Sequence, residues 1–81
     1  MKLQLRLFAK ARDLVGQEYV EVDLDDSARV SDLKIALNRA FPQLEPLMPG
    51  LLFAVGTDYA GDDVRLADNG QVACFPPVSG G

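Results

Sequence analysis

Eighty-one residues, 48% of them hydrophobic and carrying a net charge of −4, describe one small folded domain rather than a disordered segment. A domain this size buries only about 60% of its unfolded surface, which leaves little mass for an enclosed active site. The acidic balance argues against nucleic-acid binding, and no apolar run approaches the roughly 18 residues of a membrane span.

The N-terminus has no continuous apolar core, so it does not read as a signal peptide. Residues 2–8 instead alternate, with Leu3, Leu5 and Leu7 on one face and Lys2, Gln4 and Arg6 on the other, which predicts a half-buried strand. Ala9 to Val15 is rich in helix formers and stops at Gly16, predicting a short helix with a glycine cap. Tyr19 to Leu24 alternates again, with Val20, Val22 and Leu24 inward, and Asp25-Asp26-Ser27 is a turn. From Val30 to Ala40 the apolar positions Val30, Leu33, Leu37 and Ala40 fall at helical spacing. Asp32 and Arg39 have the signs that suit the two ends of the helix dipole, and Pro42 ends the helix at or before Phe41.

Pro42 to Gly50, with three prolines, is expected as an irregular connection, and Leu51 to Val55 as an interior strand. Thr57 to Asp63 reads as polar turn and Val64-Arg65-Leu66 as a short edge strand. Asp68-Asn69-Gly70 is a turn before a last strand, Gln71 to Phe75. This order describes an α+β domain with one main helix laid across a mixed sheet. First and last strands lying parallel at the sheet centre would bring the C-terminal segment out at one end of the body.

Few residues are candidates for chemistry. The chain has no histidine and one cysteine, Cys74, which removes most zinc sites, every histidine-based dyad or triad and an internal disulfide. A lone thiol suits a reducing cytoplasm. Asp25-Asp26 and Asp62-Asp63 read as solvated turn acids, because nothing apolar flanks them to raise a pKa. Gly56 and Gly61 match no phosphate-loop spacing. Alternation along Val72 to Phe75 puts Cys74 with Val72 on the helix-facing side, as core packing rather than a sulfur relay. Ala73 and Phe75 then lie on the face the helix leaves bare, joined by Leu52 and Ala54 if the third strand has the matching pleat. That patch is expected to dock a partner; the alternative is Phe75 folding back over the edge of the core.

The chain ends Phe75-Pro76-Pro77-Val78-Ser79-Gly80-Gly81. Pro76-Pro77 favours an extended path and cannot continue a ladder. From Pro76 to Gly81 the reach is at most roughly 20 Å. With no Cβ on Gly80 or Gly81, a narrow tunnel could close on bare backbone and reach the terminal carbonyl carbon. No charged side chain follows Asp68, so the Gly81 carboxylate is the only charge in this stretch.

This ending, preceded by Leu66-Ala67-Asp68 and Val72-Ala73, resembles the C-terminal signature of the small, sulfur-carrier subunits of molybdopterin synthase. Leu7-Phe8-Ala9 with Arg12-Asp13-Leu14-Val15-Gly16 is similar to that family's first strand and short helix. Two local departures are Asp68-Asn69-Gly70-Gln71, where an Asp-Gly-acidic turn is usual, and Gly56, where asparagine is common. The resemblance implies a ubiquitin-like β-grasp domain over residues 1–75 and an extended tail over 76–81. It further implies an adenylyltransferase partner that uses ATP and Mg²⁺ to turn the Gly81 carboxylate into an acyl adenylate. A sulfur donor would convert this to a thiocarboxylate. The tail, from Pro76 and Pro77 through Val78, Ser79 and Gly80, would then thread the large synthase subunit and sulfurate a cyclic pterin to form the molybdopterin dithiolene. On this reading the chain binds no cofactor, metal, nucleic acid or membrane itself. Its partners supply the catalytic groups, in a heterotetramer of two small and two large subunits. The rivals are a thiamine-pathway sulfur carrier, a ubiquitin-like modifier joined through Gly81 to lysine, and an interaction module with an inert tail.

Overall fold

The computed structural model describes residues 1–66 and 71–76. The expected turn at Asp68-Asn69-Gly70 and the tail residues Pro77, Val78, Ser79, Gly80 and Gly81 lie outside the described residues.

Strict alternation drives the first hairpin. In β1 (Lys2–Leu7) the leucines are buried and the polar residues exposed, and β2 (Tyr19–Asp23) repeats the pattern with Val20 and Val22 inside. The two strands pair antiparallel, with Leu5 opposite Val20. Between them runs α1 (Ala9–Val15), which ends as expected at Gly16, whose φ of 83° suits a residue without a Cβ. Its amide donates to the Arg12 carbonyl at 2.7 Å.

The main helix, α2 (Val30–Ala40), buries Val30, Leu33 and Leu37. The Asp32 carboxylate accepts from the Arg29 amide at 2.9 Å, and the Val30 and Ser31 amides donate to the Val64 and Asp62 carbonyls. These contacts occupy donors that a helix start leaves free. Ala40, expected on the buried stripe, is instead exposed. The chain turns away there, and Phe41 and fully buried Leu44 cover the end of the core in its place.

Three further expectations are corrected. Pro42–Gly50 is a 3₁₀ run rather than irregular, because proline's fixed φ lies within the range of that helix. The stretch assigned to polar turn contains β4 (Asp58–Ala60), which pairs antiparallel with β3 (Leu52–Val55) around a two-residue loop, Gly56-Thr57. Gly56 has φ 65°, the positive φ that the first position of a two-residue hairpin loop needs. Its departure from asparagine therefore exchanges one residue tolerant of that region for another. Finally, Val64-Arg65-Leu66 is no edge strand of the sheet. Arg65 makes an isolated bridge to Arg29, and Leu66 donates to Ala28, fastening this segment to the start of α2.

The last strand, β5 (Val72–Phe75), lies at the centre of the order β2-β1-β5-β3-β4, parallel to β1 and antiparallel to β3. With α2 packed across one face, this is the mixed-sheet β-grasp arrangement that the resemblance implied. The core joins Leu3, Leu5, Leu7, Val20, Val22, Phe53, Val72 and Cys74 from the sheet to Val30, Leu33, Leu37 and Leu44, with Leu24 packed partly against it. Among the described residues no helix is long and apolar enough to cross a membrane.

Candidate functional site

The helix-free face of the sheet is built by side-chain parity. Residues directly opposite one another on paired strands share a face, and the registers Leu52–Phe75, Ala54–Ala73 and Ala54–Tyr59 put all of these outward. Ala73 and Phe75 are both half-buried on the bare face, and the conditional placement of Leu52 and Ala54 beside them holds. Phe75 does not fold over the core edge.

The sequence reading missed what Phe75 packs against. The Phe8 amide donates to the Cys74 carbonyl at 3.1 Å, extending the β1–β5 pairing by one residue beyond Leu7. This sets the Phe8 ring beside Phe75, with centroids 4.6 Å apart and planes inclined by 11°. Tyr59 meets the same Phe75 ring edge-on at 6.4 Å. The chain leaves Phe8 through Ala9 at φ 52°, a left-handed conformation that costs a residue with a Cβ about 1–2 kcal/mol. Parity along β1 carried a signal for Phe8, which shares the face of Lys2, Gln4 and Arg6. Tyr59 gave none, because its strand lies in a run that reads as polar turn.

The result is a shallow concavity of about 760 Å³ lined by Phe8, Tyr59, Ala73 and Phe75 together with Lys2, Gln4 and Arg6. Tyr59 is 74% and Leu52 42% exposed, so the apolar part of the face stands open to solvent. Pro76 follows Phe75 directly, which puts this surface at the root of the C-terminal segment.

Cys74 faces the other way. Its side chain has no solvent exposure, and burial pushes the thiol up to about 12 from an ordinary value of 9.0. At neutral pH it is a protonated core group and no nucleophile. The acidic pairs are exposed, as expected. Asp62 accepts from Lys34 at 2.6 Å and Asp26 lies 3.5 Å from the Met1 ammonium, so each has a tethering partner. Among the described residues no three acidic or cysteine side chains cluster in a way that could hold a metal ion.

The sequence model of the ThiS family matches residues 5–81, from the middle of β1 through the double glycine. The chain belongs to the ThiS family. This ThiS-family chain is 34% identical over 83 residues to the molybdopterin synthase sulfur carrier subunit of Chlamydomonas reinhardtii, with both chains covered completely. It is 33% identical over 87 residues to the small archaeal modifier protein 1 of Haloferax volcanii, covering 98% of this chain and all of that one. The crystal structure of the latter, SAMP1, superposes with a TM-score of 0.86 at 30% identity over the whole of both chains. The family read from the tail and the first strand is thus borne out, and so is the fold.

Proposed function

We propose that this chain is a sulfur carrier of molybdenum-cofactor biosynthesis, acting in the cytoplasm as the small subunit of molybdopterin synthase. The end-to-end likeness to a protein named for that role carries the reading. The chemistry of the chain supports it. A carboxylate is a poor electrophile and must be activated. Attack by the Gly81 carboxylate on the α-phosphate of ATP, with Mg²⁺ and nucleotide held by an adenylyltransferase partner, releases pyrophosphate and leaves an acyl adenylate. Hydrosulfide supplied by a sulfur donor then adds to the carbonyl carbon and AMP departs. The thiocarboxylate so formed is a good nucleophile toward a cyclic pterin bound by the large subunit.

None of these steps needs a general base from this chain, in keeping with its lack of histidine and its buried, protonated thiol. The chain contributes a body, residues 1–75, whose bare face at Phe75 and Ala73 docks the partner. The tail of residues 76–81 delivers the reacting carbon. Gly80 and Gly81 allow a tunnel to close on backbone.

A second reading has its own support, since relatives named small archaeal modifier proteins match at 33% identity. A modifier uses the same acyl adenylate but ends in an amide to lysine. Intact-mass analysis of protein made in its own cells separates the two. Replacement of one terminal oxygen by sulfur, together with co-purification of the large synthase subunit, is the expected result. Covalent adducts on other proteins without sulfur loading would replace the carrier reading with the modifier. Co-purification of a thiazole synthase would move the carrier to thiamine synthesis.

A further inference from the structure

Among the described residues, Arg6 is the charged group whose guanidinium stands over the Phe8 ring of the aromatic stack, and the sulfur chemistry has no use for it. Its guanidinium carbon lies 4.7 Å from the centre of the Phe8 ring and 5.6 Å from that of Tyr19. Its Nε and one terminal nitrogen both reach the same Glu18 oxygen at 2.8 Å. In register, Arg6 stands between Tyr19 on β2 and Ala73 on β5, whose methyl group takes little of the space beside the arginine stem.

The ion pair is 47% exposed at Arg6 and 41% at Glu18, so solvent screens it and it adds little to folding stability. Its effect is geometric. Phe75 takes one side of the Phe8 ring at 4.6 Å, and the guanidinium, anchored by Glu18, stands over that ring as a cation at stacking distance. An exposed aromatic side chain that is free to change rotamer must be ordered on binding, and that ordering costs affinity. A ring already held does not incur the cost again. Glu18 also neutralises the guanidinium, so a partner covering this face need not bury an unpaired charge.

We infer that Arg6 is a positioning residue for docking: held by Glu18, it clamps Phe8 against Phe75 and pre-organises the aromatic surface at the root of the tail. The inference rests on the docking of this face proposed above.

The test combines the ring-current shifts of the Phe8 and Phe75 protons in the free full-length chain with calorimetric titration against the cognate large subunit of molybdopterin synthase. Arg6→Gln should melt with the wild type, lose much of the ring-current shift and bind about 3–10-fold more weakly. Arg6→Lys, which keeps a cation without the fork, should recover part of both. Glu18→Gln should resemble Arg6→Gln, and the double variant should lose no more than either, because the two act as one unit. Wild-type ring shifts or wild-type affinity in Arg6→Gln would overturn the clamp. So would additive losses in the double variant, which would mean that Arg6 contacts the partner independently of Glu18. Wild-type protein that fails to bind the large subunit would sink the docking reading alone, and the ring shifts would still decide the clamp.

Discussion

Cys74 and Phe75 are neighbours in one strand with opposite surroundings, and the pleat separates them. Cys74 has no exposed surface, and its thiol is held protonated up to about 12. Cys74→Val should therefore keep sulfur loading on the tail, read by intact mass; loss of loading in a folded variant would bring the thiol into the mechanism. The raised pKa also sets a pH window. The unfolded chain releases this proton near 9.0 and the folded chain near 12, so the stability linked to it is whole below pH 9 and lost as pH rises toward 12. Urea titrations across that range should show wild type losing stability faster than Cys74→Val. On the other side of the strand, Phe75 stacks on Phe8 and meets Tyr59. Phe75→Ala should weaken docking to the large subunit by about 1–3 kcal/mol while the domain stays folded. Calorimetry returning wild-type affinity would make the stack purely structural.

At the scale of elements, β1 holds the molecule together. It pairs with β2 on one side and β5 on the other, and Leu5, fully buried, sits level with Val20 and Val72. Leu5→Ala should cost about 2–5 kcal/mol, by lost transfer energy and by the cavity left under α2. A native stability of about 5–15 kcal/mol makes that a large share. A denaturation midpoint equal to wild type would contradict the role of β1. The segments around α2 show a different economy. Asp62 to Leu66 forms no sheet ladder, yet its carbonyls take up the first amides of the helix, and Lys34 fastens Asp62 from above. A stretch with little regular structure thereby caps the element that covers the core.

For the molecule as a whole, the parallel β1–β5 pair is the decisive arrangement, because it brings the root of the tail out beside the bare face. Under the proposed function, docking and delivery are then separable. Deleting Gly81 should abolish sulfur delivery with no change in melting temperature, since the buried core of the described residues runs from Leu3 to Cys74. Gly80→Val keeps the terminal carboxylate but puts a branched side chain where bare backbone is expected to be enclosed. It should bind through Phe75 almost normally while adenylation and sulfur transfer fall by orders of magnitude. Sulfur loading and molybdopterin formation at the wild-type rate in Gly80→Val would reduce the double glycine to a flexible end.

Local periodicity was enough for β1, β2, α2 and the assignment of Cys74 and Phe75 to opposite faces, because each is a matter of side-chain parity within one segment. The tail motif was enough for the family, being a run of specific residue types. Composition and turn residues likewise marked α1, β3 and β5, whereas tertiary structure alone decided the following features. The strand at Asp58–Ala60 exists through its ladder to β3, and its polar residues lean on that partner rather than on any pattern of their own. The 3₁₀ run from Pro42 and the solvent-facing Ala40 follow from how the chain leaves α2 over the end of the core. The aromatic surface combines Phe8, Tyr59 and Phe75 with Arg6 and Tyr19. These residues belong to segments far apart in the chain, so their meeting depends on strand order and register, which no local pattern encodes.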